Sequence, residues 1–341
     1  MDSRNQMLCG YYTFKEYEFA KASLRLMAQS IRDDDLLELC SPAIVSITIP
    51  SFCAIYVLQL WEYLLHTGDE AFVMEMLPVA ERLCKKFISL TDKNGLIPIL
   101  KEEKYWNFYE WQPGLDGYIG KIDSDDEITY DLPLQAFVIL AYQSLSDIYG
   151  QLGSINGAFE FGVLAQSLRD KAHEAFYSEK DKFYFTKINK VSGEKSYIAQ
   201  LSQALAVYSG ICAEEFIDGV LDSAVNNKDM ITVTLSNSIY YYEALMKRPE
   251  KYGRFVFDNI SEVFGHMLKN NATTFWETCL SGDDFSFAGS LCHGWSAIPS
   301  YLYFRYCLGI YPDSVGEIYP HGGVSPEITG IYEAETDYFA E

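Results

Sequence analysis

Helical periodicity along the whole chain, cut at short intervals by turn residues, most constrains what this sequence can fold into. Leu134, Phe137, Val138, Ala141, Leu145 and Ile148 recur at three- and four-residue spacing, as do Val256, Ile260, Val263 and Met267, and Ala204 repeats with Val207 and Ile211. Each stripe has to be buried against another element. Thr67-Gly68-Asp69, Lys93-Asn94-Gly95, the stretch 150–157 and Asn226-Asn227 separate the stripes as turns. The pattern predicts helices near 2–14, 15–31, 49–67, 69–90, 128–151, 156–177, 197–212, 213–226, 236–248, 250–268 and 292–308, eleven in all. Within the apolar run 72–90, Pro78 is expected to open a second helix at its first turn. Strand-like pieces are confined to 182–186 and 230–234. Antiparallel helix pairs without alternating βα units predict an all-α fold, an α/α toroid built from helical hairpins.

Composition narrows the partners. A chain of 341 residues with 49% hydrophobic content can bury a sizeable core. Its 48 acidic and 26 basic residues give a net charge of −22, which argues against nucleic acid, whose phosphates need a concentrated basic face. Aromatics at 15% suit a sugar-binding cleft, although most of those rings belong to the core. The eight cysteines show no CxxC spacing and read as buried thiols in a reducing compartment. No apolar run reaches about 18 residues and no charged segment leads into an apolar core after Met1, so the chain as given is expected to be cytoplasmic, with no membrane partner. The five histidines lack metal-ligand spacing. Asp123, Asp125, Asp126 and Glu127 resemble the start of a calcium loop, but Ile128 stands where the turn glycine belongs. No cofactor or metal is expected. Residues 1–312 are expected to form the main domain, and 313–341 an acidic tail without a helical stripe that packs on it or stays mobile.

Chemistry concentrates between residues 271 and 310. Glu277 directly follows Trp276, and His293 and Trp295 come sixteen and eighteen residues after Glu277, with glycines nearby. Such a segment reads as a loop bearing a sugar-facing acid, followed by a helix that closes a domain. Indoles stack on sugar faces, and a carboxylate activates water or accepts from hydroxyls. The same residues also suit a plain helix end, with His293 as a cap or a satisfied core group. A second loop, YWNFYEWQPGLDG, supplies Trp106, Glu110, Trp111 and Asp116, either as a binding wall or as two tryptophans sealing a long loop. Asp2 reads on its own as a helix N-cap.

Four strings carry a family resemblance: MDSRNQMLCGYYTF at the start, IPSFCAIYVLQLWEYLLHTGDEAFVMEMLP over 49–78, YWNFYEWQPGLDG over 105–117, and TTFWE followed by SLCHGWSAIP and YLYFRYCLGI. In order and spacing they resemble the catalytic domain of bacterial α-L-rhamnosidases and their six-hairpin relatives, up to about Tyr311. The resemblance implies an (α/α)6 toroid of twelve helices in two rings, here without the first. It implies inverting hydrolysis of terminal α-L-rhamnosyl linkages in a carbohydrate substrate, with Glu277 as general base. Asp2 and Arg4 would line the sugar pocket, and Trp111 would form a wall of it, with Glu110 replacing the family's Asp and Tyr109 its Gly. Trp106, Asp116, Trp276, His293 and Trp295 would complete a deoxyhexose-sized site, His293 bonding a hydroxyl or orienting Glu277. The family's acid glutamate would lie upstream of Met1, so this chain is expected to be weak or inactive. The helices 2–14 and 292–308 would carry an uncovered apolar stripe that favours self-association. Two other readings stay open: a sugar-binding relative that does not hydrolyse, and a different six-hairpin glycosidase.

Overall fold

The computed structural model describes residues 1–43, 45–336 and 338. It is mostly helical, the all-α class expected. The chain divides into two compact units: a first from Met1–Lys21, Leu65–Gly68 and Thr234–Glu341, and a second from Ala22–Leu64 and Asp69–Val233. The main helices are α1 (Asp2–Thr13), α2 (Glu18–Ala28), α3 (Pro50–Thr67), α4 (Glu70–Leu90), α5 (Leu132–Gln151), α6 (Ile155–Phe176), α7 (Gln200–Tyr208), α8 (Ile217–Asn226), α9 (Ser238–Leu245) and α10 (Pro249–Lys269).

In the second unit, α5 and α6 form the most extensive helix pair. α5 buries Leu134, Phe137, Val138, Ala141, Leu145 and Ile148 along with residues on its other faces, so it is surrounded. α6 buries one stripe, Phe161, Ala165, Leu168, Ala172 and Phe176, and leaves Ile155, Phe159 and Val163 exposed. Each large buried side chain contributes about 1.5–3 kcal/mol of transfer free energy. α4 starts at Asp69, whose carboxylate accepts from the Phe72 N–H at 3.1 Å. It then runs unbroken through Pro78, which corrects the expected division into two helices. An interior proline costs about 3 kcal/mol. The continuous stripe Phe72, Val73, Met76, Ala80, Leu83, Cys84 and Phe87 offsets that cost.

Strands are short. In the second unit β1 (Thr129–Asp131), β4 (Lys187–Asn189) and β5 (Lys195–Ser196) form an antiparallel sheet in the order β1-β4-β5, and β2 (Tyr177–Ser178) pairs with β3 (Phe183–Tyr184). The predicted strand at 230–234 reduces to a single bridge between Ile231 and Ala199. Gln200 holds that segment, donating its backbone N–H to Ile231 and accepting from Val233 through its side chain, so a ladder is not needed.

The first unit departs more from expectation. The predicted helix 292–308 is a 3-10 turn at Gly294–Ser296, a short helix α11 (Pro299–Leu302) and a π-helical turn at Tyr303–Cys307. After it, β6 (Ile310–Ser314) and β7 (Glu317–Pro320) form a hairpin, and a short helix α12 (Pro326–Thr329) packs on α10, with Ile328 against Gly253. The Tyr338 ring lies 6.3 Å from Tyr12 and 5.9 Å from Phe304. Met7, Leu8, Tyr11, Tyr12, Tyr301 and Leu302 are therefore buried within the chain itself, and the bare stripe expected on 2–14 and 292–308 is not found there. The thiols also differ from expectation. Cys53, Cys84 and Cys212 are buried, but Cys40, Cys279 and Cys292 are exposed because they sit in loops rather than on helix stripes.

Candidate active site

The first unit gathers Asp2, Glu277, His293 and Trp295 around one imidazole. His293 places Nε2 2.9 Å from Asp2 Oδ1 and Nδ1 3.7 Å from Glu277 Oε2. Its ring centre is 4.0 Å from that of Trp295. Asp2 is within hydrogen-bond distance of the ring, whereas Glu277 lies just beyond it. The scaffold is two irregular backbone stretches laced together: His293 N–H donates to Phe275 O at 2.8 Å and Glu277 N–H to Ser290 O at 2.9 Å. Ser290 N–H returns a 3.0 Å bond to Glu277 Oε2, Trp295 Nε1 donates to Glu277 O at 2.9 Å, and Ser296 Oγ donates to Trp276 O at 2.6 Å. α1 is docked onto this stretch from its first turn. Asn5 Nδ2 donates to Trp295 O at 2.5 Å, and Gly294 lies so close to the Gln6 side chain that a Cβ there would overlap it.

Asp2 is not the N-cap that its position suggests. Met1 takes that place, and Asp2 lies in the first turn with its carboxylate on His293. Burial by itself raises the Asp2 carboxyl, but the hydrogen bond from His293 and nearby positive charge outweigh it and hold the group below the usual carboxylate range. Glu277, whose side chain is 12% exposed, has one oxygen engaged by Ser290 and remains within reach of solvent. Trp276 and Trp295 are buried, so they secure the backbone of Glu277 rather than offering a free face. Arg4 is likewise buried, its guanidinium 5.0 Å from the Tyr240 ring centre.

In the second unit, Trp106, Phe108 and Trp111 form an aromatic cluster with ring centres 4.7–5.6 Å apart. Both indoles are half-buried. Trp106 Nε1 donates to Asp116 O at 2.8 Å, and Tyr109 and Leu115 close the loop through a 2.8 Å backbone bond. Glu110 is fully buried and Asp116 is exposed. Two carboxylates of the acidic run near 125 pair with lysines: Lys101 meets Asp125 at 2.6 Å and Lys121 meets Asp123 at 2.7 Å. Among the described residues no group of three or more His, Cys, Asp or Glu side chains is placed to hold a metal, and no helix is long and apolar enough to cross a membrane.

Asn5, Ser290 and Ser296 were not legible as site residues. Asn5 offers the one usable signal, a polar residue three positions after Asp2 and so near it on the helix surface. Ser290 acts through its backbone N–H, which every residue type except proline supplies. A larger cavity of about 540 Å³ in the first unit is lined by apolar groups of α10 and by Phe275, Pro299 and Tyr303. No residue of the His293 group lines it, and besides Tyr303 its polar lining is limited to the hydroxyl residues Ser261, Thr273 and Thr274.

The rhamnosidase of Bacillus sp. GL1, of the GH78 family, is 26% identical with a TM-score of 0.79, over 92% of this chain and 32% of that one. The Klebsiella oxytoca rhamnosidase solved with rhamnose bound is 21% identical with a TM-score of 0.72, over 90% of this chain and 57% of that one. The GH63 mannosylglycerate hydrolase of Thermus thermophilus shares the fold at 14% identity and a TM-score of 0.60, over 89% of this chain and 92% of that one. The chain thus spans about a third of the Bacillus protein's length. No curated protein matches it. The profile of the bacterial α-L-rhamnosidase six-hairpin glycosidase domain matches residues 1–307, and the chain therefore belongs to that family.

Proposed function

We propose that this domain acts on terminal α-L-rhamnosyl groups, with Glu277 as the base that activates water for inverting hydrolysis. The observation that carries the reading is the Glu277 carboxylate. It is held by the Ser290 N–H on one oxygen, flanked by the His293–Asp2 pair, and not withdrawn from solvent. A base so oriented removes a proton from water without a reorganisation cost. Rhamnosidase relatives, one of them solved with rhamnose, support the sugar. Within the first unit, Arg4, Trp276 and Trp295 would act by shaping the walls, and Asp2 and His293 by bonding hydroxyls.

One observation favours a second reading, sugar binding with slow or no hydrolysis. Inversion needs a protonated acid about 6.5–9.5 Å from the base. Asp2, the carboxyl that shares His293 with Glu277, is held in its ionised form and cannot give up a proton near neutrality. Both readings meet one experiment. 4-Nitrophenyl α-L-rhamnoside is assayed for turnover, and methyl α-L-rhamnoside for binding, with the wild-type chain and Glu277→Gln. Turnover that falls by about 10²–10⁴ in the variant while binding persists supports the base. Binding without wild-type turnover selects the second reading. Near-normal turnover by the variant removes Glu277 from the mechanism, and absence of both activities removes rhamnosides as the substrate.

A further inference from the structure

A cavity of about 260 Å³ in the second unit opens where the loop after Trp111 meets the β1-β4-β5 sheet. Asp116, Tyr118, Glu127, Asp131 and Lys187 line it, together with Asn107. No residue of the His293 group takes part. Its volume is just under the roughly 300 Å³ at which drug-sized ligand sites begin, so it suits a single small ring.

The walls are fixed before any ligand arrives. Gly117 has φ of +64°, and a Cβ there would lie 2.5 Å from Asn107 O, so only glycine lets the loop approach this closely. Asn107 ties both ends of its amide to Leu100, accepting from its N–H at 3.2 Å and donating to its O at 2.9 Å. Trp106 anchors the loop through Asp116 O at 2.8 Å. Asp131 is 1% exposed and accepts from Thr129 Oγ1 at 2.5 Å. The Tyr109 hydroxyl also faces it, and burial and then the Asp131 charge raise that phenol well above its ordinary range.

Lys187 decides what such a wall can hold. Its Nζ stops 3.7 Å from Asp131 Oδ2, beyond hydrogen-bond distance, and lies 5.7 Å from the Tyr197 ring centre, so neither contact takes up a hydrogen bond from the ammonium. A fixed carboxylate with an ammonium just out of reach matches a ligand hydroxyl, which donates to the first and accepts from the second. Glu127 adds an exposed acceptor, and the Tyr118 ring, 67% exposed, stands at the rim where a ring face can stack. Three carboxylates against one lysine disfavour anionic ligands.

We propose that this cavity binds one neutral monosaccharide unit. That the ligand is a sugar rests on the carbohydrate reading above. The test is calorimetric titration of the whole chain with the methyl glycosides of glucose, galactose and L-rhamnose, with glucuronate as the anionic probe and glucosamine as the cationic one. At least one neutral glycoside is expected to bind, fivefold or more weakly in both Tyr118→Ala and Lys187→Met, with Lys187→Arg recovering part of the loss and Glu277→Gln changing little. Tyr118 is exposed, so that variant keeps the fold, which thermal melting verifies. Glucuronate is expected to bind more weakly than the neutral glycosides. The proposal is overturned if no neutral glycoside binds, if glucosamine alone binds, or if the heat survives Tyr118→Ala and disappears in His293→Ala. That last outcome would leave the hydrolase reading standing, whereas turnover failing while the cavity still binds sugar would sink that reading and not this one.

Discussion

The α5–α6 hairpin and the segment 271–310 are both rich in apolar and small residues but are built in different ways. The hairpin is a local object. Its stripes repeat every three or four residues, Phe161, Ala165, Leu168, Ala172 and Phe176 are buried along one side of α6, and α5 is its principal neighbour. The segment is laced to itself across irregular backbone, Phe275 to His293 and Glu277 to Ser290, and is tied through Trp295 to Asn5 at the other end of the chain. It also carries left-handed residues at Ser281, Phe285, Ser286 and Phe287. Regular helices can bury surface, but they cannot place a carboxylate, an imidazole and a second carboxylate around one point from three separate chain positions. Irregular backbone achieves that placement because tertiary contacts replace the helical bonds it gives up.

The sharpest break in this comparison would come from Glu277→Gln. If the irregular segment serves chemistry, the variant loses about 10²–10⁴ in turnover of an aryl rhamnoside while its melting temperature hardly moves. A large stability loss with little kinetic effect would make the segment structural. The converse holds for the hairpin. Phe176→Ala, in a fully buried position, should cost about 3–5 kcal/mol in denaturant unfolding and leave sugar affinity per folded molecule unchanged. Trp295→Phe lies between the two cases. It keeps most of the packing and removes the bond to Glu277 O, so about 1 kcal/mol of stability should go, with a measurable weakening of methyl α-L-rhamnoside binding as Glu277 loses its anchor. Unchanged binding would show that the anchor is dispensable.

The smallest effect concerns pH. Because the Asp2 carboxyl is lower in the folded chain than in the unfolded one, the unfolded state binds more protons as the solution is acidified. Asp2 therefore stabilises the fold above the ordinary carboxylate range, about pH 4, and that contribution disappears as pH falls through the lower folded value. Asp2→Asn should flatten the stability profile between neutral and acidic pH. A profile as steep as that of the wild type would show that the His293 contact contributes nothing.

The sequence by itself determined the helices that bury a stripe. Residues 50–67, 70–90, 155–176 and 249–269 fall within a residue or so of their periodic limits, because burial at a fixed spacing is written into the order of residue types. It also singled out Glu277, His293 and Asp2 as residues of chemical interest, by type and by family resemblance. Only the tertiary structure decided that Asp2 serves His293 rather than capping α1, that Pro78 stays inside a helix, and that residues 292–308 break into 3-10, short α and π turns. It also decided that Tyr338 returns to cover Tyr12, and that Asp131 and Lys187 meet across a strand pair on the wall of a cavity. These outcomes depend on which backbone groups and side chains find partners tens or hundreds of residues away, and no local pattern encodes that choice.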